Sequence, residues 1–236
     1  MCGRYATTRS SGELSALFES SDDTDGRIRP DHNVAPTDPV PLVRVTPEGH
    51  RSLCVGRWGL LPHWSRSAAG AARMINARAE TVATSRAYAG SFARRRCLVP
   101  ADGWYEWVRQ PNGGRQAYYM TPADGSVLAL AGIWSVWESE AETRLTFSVL
   151  TTAALGELAE VHDRMPVLLP PERWSSWLAP TGEPDRLLAP PATGQLSRLE
   201  IRPVGPAVGD VRNDGPQLIA RVPLAPTVAA QELTLF

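Results

Sequence analysis

From Arg96 to Thr151 the chain reads as a near-continuous series of strands, and this stretch constrains the fold more than any other. Arg96 to Val99 resumes as a strand after a helix-compatible segment, Thr84 to Arg95. Gly103 to Val108 and Ala117 to Met120 flank Pro111-Asn112-Gly113-Gly114, a turn sequence that joins two strands as a hairpin. Val127 to Trp137 and Leu145 to Thr151 continue the pattern on either side of a charged loop. Upstream, Leu14, Leu17 and Phe18 at helical spacing predict a short amphipathic helix over Gly12 to Ser20, followed by a polar surface loop from Ser21 to Pro30. Val40 to Val45 and Leu53 to Trp58 read as strands joined through Pro47-Glu48-Gly49. Downstream, the pattern predicts a helix over Ala153 to Val161 and a short strand at Val167 to Leu169. A second helix begins with Pro171 in its first turn and runs to Leu178. Pro180 to Thr193 is a Pro/Gly-rich connection, and the residues after Pro223 read as a loosely held tail. Strands with helices inserted between them predict one α+β domain, residues 2 to 222, with a mainly antiparallel, barrel-like sheet and surrounding helices.

No apolar run reaches the ~20 residues that span a bilayer, and the start of the chain lacks the basic-then-apolar pattern of a secretory signal. Cys2, Cys54 and Cys97 are odd in number and far apart, forming neither a disulfide framework nor a CxxC zinc pattern. A reducing cytoplasm is the expected setting. Net charge is −1, yet nine arginines and only three acids lie between Arg57 and Arg109, so that stretch carries +6 and the remainder −7. A central basic region in a nearly neutral chain fits either a nucleic-acid footprint or a solvated arginine-rich surface.

The chain contains no lysine. With Met1 removed before a small second residue, the mature chain begins at Cys2, where an α-amine and a thiol share one carbon skeleton. An α-amine has a reference pKa near ~7.7–8.0, so much of it is unprotonated near neutral pH. Such a pair captures an aldehyde: the amine forms a Schiff base and the sulfur closes on the imine carbon to give a thiazolidine. The competing reading is a small buried hydrophobe.

Further candidates lie downstream. In Asp102-Gly103-Trp104-Tyr105-Glu106-Trp107, strand alternation places Trp104, Glu106 and Val108 on one face and Tyr105 and Trp107 on the other. A carboxylate on an aromatic face has its pKa raised by desolvation and is suited to proton transfer; otherwise Glu106 lies on the wet side of the sheet. His162, in His162-Asp163-Arg164-Met165-Pro166, is a proton carrier or a helix-terminal histidine. Arg164 offers a guanidinium fork to a phosphate. Asn76 is an orienting amide or a helix cap. Trp58, Trp64, Trp104 and Trp107 fall near the basic region, where they offer stacking faces for single-stranded nucleic acid or simply build the core, as expected of Trp134 and Trp137.

Six motifs occur in order: Met1-Cys2-Gly3-Arg4-Tyr5, Asn33-Val34-Ala35-Pro36, Trp58-Gly59-Leu60, Asn76-Ala77-Arg78-Ala79-Glu80-Thr81, Cys97 to Trp107 (CLVPADGWYEW) and His162-Asp163-Arg164-Met165-Pro166. Together they closely resemble the SOS-response-associated peptidase (SRAP) family of abasic-site-processing proteins, from Cys2 to about Val222 and including Val211-Arg212-Asn213. The resemblance implies a monomeric sensor and shield of abasic sites in single-stranded DNA, including single-strand/double-strand junctions, with no metal and no cofactor. It implies Cys2 as the crosslinking nucleophile and Asn76 holding the sugar or the N-terminus. Glu106 would assist ring opening and proton transfer, and His162 would shuttle a proton. Arg4, Arg78, Arg86 and Arg164 match phosphate-binding positions, while Pro36 and Trp107 match groups that wedge or stack at the lesion. Peptidase activity extends, on this reading, at least to removal of Met1. Two other classes stand beside it. Class-II glutamine amidotransferases also begin Met-Cys-Gly, but the chain shows no partner synthetase or transferase domain. A noncatalytic single-strand binder would bind by charge and stacking and leave no covalent adduct.

Overall fold

The strands set the architecture of this computed structural model, which describes residues 2–111, 113–179, 188 and 193–224. In chain order they are β1 (Tyr5–Thr7), β2 (Ser21–Asp22), β3 (Asp31–Val34), β4 (Pro39–Val45), β5 (Arg51–Trp58), β6 (Asn76–Arg78) and β7 (Arg96–Ala101). They continue as β8 (Gly103–Arg109), β9 (Arg115–Pro122), β10 (Leu128–Glu138), β11 (Thr143–Ala153), β12 (Arg164–Pro166) and β13 (Leu199–Val204). The helices are α1 (Ser11–Phe18), α2 (Ala89–Arg94), α3 (Leu158–Val161), α4 (Pro171–Leu178) and α5 (Thr193–Leu196).

Five strands close into a barrel in the order β11-β10-β7-β4-β5, with β5 returning to β11 through the parallel pairs Arg57–Thr146 and Trp58–Phe147. Closure removes the open edges that would otherwise need covering. A second sheet, β13-β9-β8-β1-β3, is antiparallel throughout. The expected α+β fold with a mainly antiparallel, barrel-like sheet is the fold observed. β11 is the hub: besides β10 and β5 it pairs with β6 in parallel (Val149–Asn76 to Thr151–Arg78) and with β12 antiparallel (Thr151–Pro166 to Ala153–Arg164). Both strands that flank the candidate site are therefore fastened to one barrel strand.

Local chemistry explains the ends of the elements. Ser10 caps α1, accepting from the Glu13 amide at 3.2 Å while Glu13 Oε2 accepts from the Ser10 amide at 2.9 Å. Leu14 and Phe18 turn inward. Gly103 opens β8 where a Cβ would sit 2.4 Å from the Met120 carbonyl oxygen, so the tight entry into the Glu106 strand requires glycine. Arg96 is 3% exposed at the start of β7. Its guanidinium donates to Phe92 and Ala93 carbonyls at 2.8 Å, to Trp177 at 2.6 Å, and to Ala179. One buried cation thereby satisfies the carbonyl ends of both α2 and α4.

Several expectations need correction. Thr84–Arg95 is helical only from Ala89, with turns before it. Ala153 to Val161 is not one helix: β11 runs on to Ala153 because that residue pairs with Arg164, Gly156 takes φ +55, and only Leu158–Val161 is helical. The short strand falls at Arg164–Pro166 rather than Val167–Leu169, where Leu168 makes a single bridge to Leu130. Within the expected surface loop, Ser21–Asp22 adds a parallel strand to β5. Of the Pro180–Thr193 connection, residues 180–187 and 189–192 lie outside the described residues, as does the tail from 225 onward. No helix among the described residues is long and apolar enough to cross a membrane.

Candidate active site

The site forms where the two sheets meet. Tyr5 pairs with both Val34 and Trp104, placing β1 between β3 and β8. The Tyr105 amide donates to the Arg4 carbonyl at 2.9 Å, so the chain entering β1 runs beside Glu106. Cys2 is fully buried in the apolar cluster of Tyr5, Trp58, Trp104 and Phe147. From the barrel side, Asn76 at the start of β6 donates from Nδ2 to the Cys2 carbonyl at 2.6 Å. Asn76 thus begins a strand rather than capping a helix, and its buried Oδ1 has no hydrogen-bond partner among the described residues. The Tyr88 hydroxyl, which sequence reasoning missed, donates to the Asn76 carbonyl at 3.2 Å.

Strand alternation holds: Trp104 faces the Cys2 cluster, while Tyr105 and Trp107 join Ala6, Tyr119 and Val208 on the other side. Glu106 shares the Trp104 face and is 3% exposed, which excludes the wet-side reading. Burial pushes its carboxyl up to about 7, against the pull of the positive amino terminus. His162 follows α3 and presents Nε2 3.9 Å from Glu106 Oε2. Its imidazole is shifted below the usual histidine value, first by burial and then by the amino terminus. The Cys2 thiol is pushed upward, chiefly by burial and then by Glu106, so it is held as S–H.

The other predicted positions divide sharply. Arg78 and Arg86 are exposed, and Arg86 stacks its guanidinium 5.1 Å from the ring of Trp64, itself 50% exposed. Pro36 is half-buried in a turn completed by Thr37 at φ +77, a left-handed conformation uncommon for a β-branched residue. Trp107 is half-buried, 6.5 Å from the Tyr105 ring. Arg4 instead points inward, donating to Asn33 Oδ1 at 2.7 Å and the Val208 carbonyl at 2.9 Å. Asn33 in turn donates to the Asp210 and Asn213 carbonyls at 2.9 and 2.8 Å, so two of the sequence motifs are one structural knot. Arg164 gives its fork to Glu80 at 2.8 and 2.9 Å and also bonds Thr151, while holding Glu80 below the usual carboxylate range. Trp58 and Trp104 are core residues rather than stacking faces. Arg96, part of the basic stretch, is likewise internal.

A buried cysteine at position 2, an amide on its backbone and a carboxyl–imidazole pair beside it come together on a barrel-centred α+β fold. The chain belongs to the SOS response associated peptidase (SRAP) family, whose sequence profile matches residues 1–211. It is 32% identical over 228 residues to the abasic site processing protein YedK of Escherichia coli, covering 94% of this chain and all of that one. The abasic site processing protein YoqW of Bacillus subtilis is 29% identical, with 93% of this chain and 99% of that one covered. The abasic site processing protein HMCES of Gallus gallus is also 29% identical, over 95% of this chain and 79% of its own length. A crystal structure from Bacteroides thetaiotaomicron superposes with a TM-score of 0.81 at 23% identity, covering 94% of this chain and all of that one, a likeness of fold.

Proposed function

We propose that this chain, acting through residues 2–222, processes abasic sites in single-stranded DNA by forming a thiazolidine crosslink at a mature N-terminal Cys2. The observation that carries the reading is the placement of the Cys2 backbone, held by Asn76, beside the Glu106–His162 pair. The names of the relatives supply the substrate class. Protonated Glu106 donates to the ring oxygen as the deoxyribose opens to its aldehyde. The Cys2 amine attacks the aldehyde carbon, the Glu106 carboxylate, faced by His162 Nε2–H, takes a proton from the nitrogen, and water leaves to give the imine. The thiol then adds its sulfur to the imine carbon and its proton reaches nitrogen, so that aldehyde, amine and thiol yield thiazolidine and one water. The SRAP profile match over residues 1–211 favours this reading over a glutamine amidohydrolase. Arg78 and Arg86 are the phosphate contacts that remain open to solvent, with Pro36, Trp107 and Trp64 as apolar surfaces against the DNA. Peptidase activity is confined, on this reading, to Met1 removal.

Intact-mass analysis after incubation with a single-stranded abasic oligonucleotide tests the reaction. The expected species lacks Met1 and carries the oligonucleotide less one water. A chain that keeps Met1 and still crosslinks would overturn the proposal. So would an equally heat-stable adduct from Cys2→Ser.

A further inference from the structure

Arg164 spends most of its donors on the fold. Nη1 and Nη2 donate to Glu80, Nη2 also to Thr151, Nε is buried without a hydrogen-bond partner among the described residues, and the side chain is 15% exposed. The main chain of the same residue has another task. The Arg164 amide donates to His162 Nδ1 at 2.9 Å, and this requires a lone pair on Nδ1. Asp163 Oδ1 stands 2.7 Å from the same nitrogen, a contact that favours a proton there. The two neighbours therefore select opposite states: the amide selects neutral imidazole with its hydrogen on Nε2, and the carboxylate selects imidazolium. Asp163 is 84% exposed, so solvent screens its pull. Glu106 on β8, the amino terminus, Asp163 and Arg164 are the charged groups that act on the ring.

We propose that Glu80 is a positioning residue: its clamp on Arg164 fixes the start of β12, keeps the Arg164 amide on His162 Nδ1, and so presents Nε2–H toward Glu106. Glu80 reaches this place because β6 and β12 flank the same barrel strand, with Arg78 and Pro166 both paired to Thr151. The clamp spans the gap between them. The kinetic consequence rests on the crosslinking reading above; the positioning does not.

The test has two arms. In DNA-free protein, nitrogen-15 shifts and pH titration of His162, assigned among the four histidines with His162→Gln, report tautomer and protonation directly. Wild type is expected to show an acceptor-type Nδ1. Glu80→Ala should raise the His162 pKa by ~0.5–1 unit and Glu80→Gln, which keeps one hydrogen bond and the side-chain volume, by less. In the second arm, the acid limb of the crosslinking pH profile should move up by the same amount, slowing the reaction ~3–10-fold below neutrality. Affinity for an oligonucleotide bearing a tetrahydrofuran site, which has no aldehyde, should change less than ~2-fold. An unchanged His162 titration in Glu80→Ala overturns the proposal. Loss of DNA affinity with the titration unmoved also overturns it, by assigning Arg164 to phosphate. If wild type itself forms no adduct, the crosslinking reading fails while the titration still decides the positioning.

Discussion

Two charged residue types are equally hidden in this molecule: Glu106 at the site and Arg96 behind the barrel are each 3% exposed. Their surroundings differ completely. Arg96 meets four carbonyls from the ends of two helices, so its charge is spent on closing hydrogen bonds that the helices leave open. Glu106 faces tryptophan, a thiol and an imidazole, and burial moves its proton affinity up to about 7. A buried charge saturated by partners stabilises a fold, whereas a buried acid held near neutrality is ready to exchange a proton. Burial alone does not separate the two; the partners do.

The largest test removes the chemistry and leaves both environments intact. Cys2→Ser should abolish the heat-stable adduct while leaving Schiff-base strand cleavage by the remaining amine, read on denaturing gels. Cys54→Ala and Cys97→Ala should retain the adduct. Next, Glu106→Gln should slow adduct formation by roughly 10²–10⁴-fold, the usual share of a positioned proton donor. The same substitution reports the burial energetics. The folded chain keeps a proton on Glu106 that the unfolded chain releases near 4.5, so this group's contribution is full below that pH and is lost as pH rises to about 7. Wild type should lose up to ~3 kcal/mol across that window, and Glu106→Gln should flatten the slope in denaturant melts taken at successive pH values. Equal slopes would erase the contrast drawn with Arg96.

Arg96→Met should act in the opposite sense, leaving adduct chemistry near wild type while destabilising the fold by ~3–5 kcal/mol, because four carbonyls lose their donor. A loss under ~1 kcal/mol would mean that water replaces the guanidinium. The smallest effect is expected at the surface: Ser10→Ala removes the α1 capping box and should lower stability by ~1 kcal/mol with no change in crosslinking rate.

Much of this was legible from residues alone. Alternation placed Trp104 and Glu106 on one face of β8, and Pro171 marked the first turn of α4. Helix ends inside β-rich sequence were harder. Ala153 carries helical propensity, but pairing with Arg164 outweighs a preference of a few tenths of a kcal/mol. The site's membership followed from motifs, yet its geometry did not. That Asn76 grips the Cys2 carbonyl, or that Arg4 turns to Asn33 rather than to solvent, depends on contacts 74 and 29 residues apart in the chain. Arginine is the extreme case. Arg78, Arg96 and Arg164 look alike in sequence, and only their neighbours separate a solvent-facing cation, a double helix cap and a clamp on Glu80.

The burial of Cys2 bears on how long the protein stays competent. Peroxide and other oxidants attack thiolates at accessible positions, and each step past the sulfenic acid is irreversible without dedicated repair. A sulfur with no exposed surface, kept in its S–H form, is a poor target for that ladder. Conditions that oxidise exposed thiols would therefore leave Cys2 largely reduced in the chain that still carries Met1.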